Sequence, residues 1–103
     1  MTAPLRLPVL SSEYVRVSIA AREAGTTVDP TSDTVEMAFV TTGEPGNTDW
    51  HTASWENDGA THYARILVGP AGVALPIGKY GVWVRVTDLP EIPVRNAGKL
   101  VIF

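Results

Sequence analysis

The amino-acid sequence predicts an all-β, antiparallel sandwich of six or seven strands, preceded by an extended N-terminal arm. Three observations predict it. Apolar and polar side chains alternate with a period of two through several short segments, the pattern of strands with one buried face. Clusters of Gly, Pro, Asn and Asp interrupt those segments about every ten positions, the spacing of sandwich folds. Apolar residues at helical spacing are absent from every window of about ten residues or more.

Residues 1–12 are the expected arm and 13–103 the sandwich domain. Pro4 and Pro8 favour extended backbone, and Leu5, Leu7, Val9 and Leu10 give the arm apolar contacts. The first strand is expected over 13–21, where Val15, Val17 and Ile19 alternate with Tyr14, Arg16 and Ser18. A turn at 23–26 and a loop at 28–33, rich in turn formers, follow. The second strand covers 34–42, with Val35, Met37 and Phe39 inward. The third covers 50–56, with His51, Ala53 and Trp55 on one face. Asn57, Asp58 and Gly59 form a strong hairpin signal, and the strand returns over 61–68. After a turn at 69–72 comes the clearest strand, with Tyr80, Val82, Val84 and Val86 on the core face and Gly81, Trp83, Arg85 and Thr87 on the other. Residues 88–93 break the pattern, and the last strand runs over 94–102, kinked at Gly98.

With 103 residues the chain has room for one domain. Hydrophobic residues make up 45%, which excludes wholesale disorder. The absence of cysteine removes disulfides, thiol chemistry and cysteine-held metals, and fits assembly inside a cell. A net charge of −3 with scattered Lys and Arg residues argues against nucleic-acid binding. The longest apolar run, Val73 through Ile77, is far shorter than the roughly 20 residues of a membrane span. The N-terminal stretch has no continuous apolar core of a secretory signal. A soluble protein that acts without nucleic acid or membrane is expected.

Chemistry-bearing constellations are few. His51 and His62 flank the hairpin at 57–59 and, with Asp49, Glu56 or Asp58, suggest a metal site, but ligand spacing in known zinc motifs is tighter. Two polar residues paired across a hairpin account for them better. Asp29, Ser32, Asp33 and Asp88 are oxygen-rich, yet lack the alternation and glycine of a calcium loop. No serine sits in a nucleophile elbow or beside a histidine motif, and no phosphate-binding glycine loop occurs. A non-enzymatic protein with no cofactor and no metal is expected. Trp50, Trp55, Tyr63 and Trp83 raise the alternative of a carbohydrate- or host-surface-binding module. Trp83 opposes the core face beside Arg85, and Trp and Arg anchor protein interfaces.

The pattern Leu75-x-x-Gly78-x-Tyr80-x-Val82-x-Val84 resembles the tyrosine corner of immunoglobulin-like and fibronectin-like domains, without the antibody cysteine pair. Four pieces carry a broader likeness: Val28-Asp29-Pro30-Thr31-Ser32-Asp33-Thr34-Val35-Glu36-Met37-Ala38-Phe39, Trp50-His51-Thr52-Ala53-Ser54-Trp55-Glu56, Leu67-Val68-Gly69-Pro70, and the run from Gly78 through Leu100. In these the chain resembles a group of small virion proteins from tailed phages of actinobacteria. The likeness spans roughly residues 12–103, and its motifs are turns and strand starts. It implies an immunoglobulin-like structural component of the particle, in capsid decoration, head–tail connector or tail, assembled in the host cytoplasm. The implied partners are other virion proteins, in a homo-oligomeric or symmetric arrangement. The residues expected to meet them are Leu5, Leu7 and Leu10 on the arm, and Trp83 with Arg85 on the sheet. An adhesion-type domain of a bacterial protein is the weaker alternative.

Overall fold

The computed structural model describes residues 5–19, 21–23, 26–28, 31–59, 61–88 and 91–103. Ten strands are described: β1 (Leu5–Leu7), β2 (Glu13–Ile19), β3 (Ala21–Glu23), β4 (Thr26–Val28), β5 (Thr34–Val40), β6 (Trp50–Thr52), β7 (Ser54–Asp58), β8 (Thr61–Val68), β9 (Gly78–Thr87) and β10 (Val94–Ile102). No helix occurs among the described residues. A five-stranded sheet in the order β1-β10-β9-β5-β6 faces a three-stranded sheet in the order β2-β8-β7. Strands β3 and β4 make a separate antiparallel pair. All pairings are antiparallel except that of β1 with β10.

The core lies where the expected alternation puts it. Val35, Met37 and Phe39 of β5 and Tyr80, Val82 and Val84 of β9 are buried against Val15 of β2 and Ala64, Ile66 and Val68 of β8. Leu100 and Ile102 of β10 complete the layer. Tyr80 is the one core side chain with a polar end, and its hydroxyl donates to the Pro76 carbonyl at 2.7 Å, as a buried hydroxyl requires.

Three elements depart from the expected layout. The stretch expected as a single third strand divides at Ala53, whose N–H donates to the Val35 carbonyl at 3.0 Å. Its first part, β6, stays on the five-stranded sheet, and its second, β7, joins β8 on the other. Period-two alternation survives such a crossing, so the pattern does not reveal it. The first strand ends at Ile19, and the following turn region contains the β3–β4 pair.

The third departure concerns the arm. Residues Leu5–Leu7 pair in parallel with β10 of their own domain, Leu5 opposite Leu100 and Leu7 opposite Ile102. Leu7 is 4% exposed within the core, and Val9 packs beside it. The strand is locked by Phe103 N–H to the Leu7 carbonyl (3.0 Å) and Val9 N–H to the Phe103 carbonyl (2.6 Å). Leu7 is therefore spent inside the domain and has no surface for a neighbour, whereas Leu5 and Leu10 remain exposed. Past this strand the chain crosses to β2 beneath Gly69, whose φ is +134°. A Cβ there would lie 2.1 Å from the Ser11 carbonyl oxygen, so only glycine allows the two backbones so close.

Candidate functional site

The outward positions of the five-stranded sheet carry the most structured side-chain cluster in the described residues. Strand register sets it up: Ala38 stands between Trp83 on one side and Trp50 on the other, and Glu36 stands opposite Arg85. Ala38 points away from the core and is nevertheless fully buried. The neighbouring indoles cover it, because Cβ atoms of directly paired residues lie about 5 Å apart.

Arg85 ties the cluster together. Its Nε and Nη2 donate to Glu36 Oε1 at 3.0 and 2.8 Å, and its guanidinium lies over the Trp50 ring at 4.5 Å. Carboxylate and aromatic face together hold the fork in one orientation. Beside it opens a groove of about 340 Å³ lined by Glu44, Pro45, Asn47, Trp50, Trp83, Arg85 and Val94. The loop after β5 forms one wall, and its turn is held by Gly46 N–H donating to Asp49 Oδ2 at 2.7 Å. Trp83 Nε1 is buried over Gly81 and has no hydrogen-bond partner among the described residues. Buried donors are almost always paired, so such an indole N–H is unusual.

The bulge in β10 borders the same cluster. Asn96 pairs with Trp83 and Gly98 with Val82, so Ala97 is the extra residue. Gly98 has a φ of +133°, and its N–H donates to Asn96 Oδ1 at 3.0 Å. The bulge turns the edge of the groove away from regular pairing.

A second network covers the three-stranded sheet. Arg16 and Arg65 are directly opposite each other, an arrangement that repels unless screened. Glu56 accepts from both, from Arg16 Nη1 in a short contact and from Arg65 Nη1 at 3.0 Å. Arg16 lies over Tyr63 and Arg65 over Tyr14, each at 4.4 Å. The hydrogen bond from Arg16 and its charge hold the Glu56 carboxyl below its ordinary range, with Arg65 adding to the effect. The same contact raises the Arg16 pKa.

The remaining candidates fall apart in space. His51 pairs with Met37 in one sheet, whereas His62 lies in the other, its Nδ1 2.6 Å from Asn57 Oδ1. The hairpin does not set the two histidines across from each other. Among the described residues no group of three or more His, Cys, Asp or Glu side chains could hold a metal ion. Of the oxygen-rich set, Asp29 lies outside the described residues. The Asp33 carbonyl accepts from Trp55 Nε1 at 2.8 Å, and Asp88 closes a two-way backbone bridge with Glu91.

Trp55 thus turns inward and packs on the core, and the Trp50 ring carries Arg85 over it. The aromatic residues do not form a set of free, coplanar platforms. Trp83 and Arg85 are brought together as the alternation implies. Their pairing with Glu36 and Trp50 is not legible in the sequence, since cross-strand register is invisible there; Trp50 stands out only as a candidate aromatic, and the outward positions of Glu36 and Arg85 are the available signal.

No protein-family model, curated protein or solved structure matches this chain.

Proposed function

We propose that this chain is a non-enzymatic structural component of a tailed-phage virion, in the capsid decoration, the head–tail connector or the tail. It docks onto neighbouring subunits through the outer face of its five-stranded sheet. The observation that carries the docking is a groove on that face walled by Trp50, Trp83 and Arg85, with the Arg85 guanidinium already held by Glu36. Arg85 and Trp50 flank the groove together, which matches the Trp and Arg anchors of protein interfaces.

An immunoglobulin-like architecture is part of the proposal. The three-stranded order β2-β8-β7 corresponds to strands B-E-D of such domains, and β10-β9-β5 to G-F-C, with β6 extending that sheet. The Tyr80 hydroxyl bonded to the Pro76 carbonyl supports the same reading. The likeness of the turn and strand-start motifs to phage virion proteins supports placement in a particle.

The test is gradient-purified particles from the parent phage. Mass spectrometry is expected to find this chain at a fixed copy number per particle, and its absence overturns the proposal. Trp83→Ala is expected to reduce incorporation at least about tenfold, the loss of about 1.4 kcal/mol, measured well below the variant's own melting temperature, which falls because Ala38 is uncovered. Unchanged incorporation would remove the groove from the interface.

A further inference from the structure

Three of the eight Lys and Arg residues gather at one end of the five-stranded sheet. Arg6 is opposite Val101, which is opposite Lys79, and Lys99 sits two pairs further along, opposite Gly81. Because Leu7, Tyr80, Leu100 and Ile102 are buried, alternation turns all three cations to the outer face. None of them has an ion pair among the described residues. Large apolar side chains are exposed at the same end: Leu10 (87%), Ile77 (68%) and Phe103 (50%). The Arg6 guanidinium lies 5.0 Å from the Phe103 ring.

The opposite end has the opposite sign. Asp33 precedes β5, whose Thr34 pairs with Thr87, and Asp88 follows directly and bridges to Glu91. These three carboxylates also have no ion pair among the described residues. Ile92 (48%) is exposed beside them, and Val94 stands between them and the groove. Lys79 and Asp88 stand roughly 30 Å apart along β9, at about 3.3 Å per residue. Glu13, Glu44, Asp49 and Arg95 run against this segregation, although Asp49 Oδ2 accepts from Gly46 N–H within its loop. However, Glu13 starts a strand of the other sheet, Glu44 lines the groove, and Arg95 directs Nη1 to the Val94 carbonyl.

We propose that the acidic end of a second copy of this chain docks on the basic end of the first, head to tail. The basic, apolar end alone would suit any anionic surface. What selects a second copy is that the complementary surface, unpaired carboxylates beside an exposed apolar side chain, is present on the same molecule. Complementary charge steers such an encounter and sets its register. The two surfaces differ, so the contact is heterologous and repeats into rings or open filaments instead of closing as a two-fold dimer. The proposal goes beyond groove docking, because it uses the two ends of the sheet and leaves Trp83 free for another partner.

Sedimentation velocity on the full chain, from micromolar to millimolar concentration, tests it. Oligomers larger than a dimer are expected at low salt, with the apparent dissociation constant rising at least about tenfold as salt increases from about 50 to about 500 mM. Lys79→Glu with Lys99→Glu, and separately Asp88→Lys with Glu91→Lys, are each expected to be monomeric. An equimolar mixture of the two variants is expected to associate again. Trp83→Ala is expected to associate like the unaltered protein, so failure of this proposal and failure of groove docking give different results. A chain that stays monomeric, stops at a dimer, or associates independently of salt overturns the proposal, and these outcomes need no variant to fold. Charge variants that associate like the parent, or a mixture that stays monomeric, overturn it as well. A monomer that binds phosphatidylserine vesicles would assign the basic end to a lipid surface and overturn it too.

Discussion

Tyr80 places a phenol in the core, and its hydroxyl donates to the Pro76 carbonyl at 2.7 Å. Tyr80→Phe removes that bond and leaves the carbonyl at a partly buried corner, for an expected loss of about 1 kcal/mol. Urea titration should show a lower midpoint with an unchanged slope. Glu56 is the other residue whose environment has a measurable consequence. Arg16, then Arg65, depress its pKa, so its contribution to stability is present above the ordinary carboxylate range. That contribution is lost as pH falls through the depressed value. The melting temperature should drop between about pH 5 and about pH 3, and Glu56→Gln should remove part of that drop. Identical pH profiles for the two proteins would discard the linkage. The effect is small, because the carboxylate is partly open to solvent.

At the scale of elements, β1 carries the clearest test. The parallel pairing with β10 buries Leu7, and Leu7→Ala should destabilise the domain by about 2–4 kcal/mol. Leu10, 87% exposed, makes no such contribution, and Leu10→Ser should leave the unfolding midpoint within about 0.5 kcal/mol of the parent. Equal effects of the two substitutions would mean that β1 is not part of the folded core. Both leucines belong to one apolar, proline-punctuated stretch, and nothing in their sequence context separates them. The distinction comes from Phe103, whose backbone clamps the chain on both sides of Pro8. The division between β6 and β7 has the same character, since it rests on one bond from Ala53 to Val35.

Across the whole molecule, the two sheets share one core, and their outer faces do different work. The three-stranded face closes its arginines on Glu56. Among the described residues, the five-stranded face leaves an indole N–H unpaired near its middle and unpaired charges of opposite sign at its ends. Much of the candidate site was legible in part. Alternation through β9 places Trp83 and Arg85 on one outward face without any structural information. Glu36, Trp50 and the loop at 43–49 belong to the same site, but they come from segments separated by tens of residues. Only pairing of β5 with β9 and β6 brings them together.

Local pattern is enough for the all-β class, the strand carrying Tyr80 and its inward face, because period two and turn chemistry act between residues close in the chain. Tertiary structure decided which strands pair and where the chain changes sheets. It also decided that Leu7 is core and Leu10 surface, and that cations and carboxylates collect at opposite ends. Those outcomes depend on contacts between distant segments, and the same local pattern is compatible with many such arrangements.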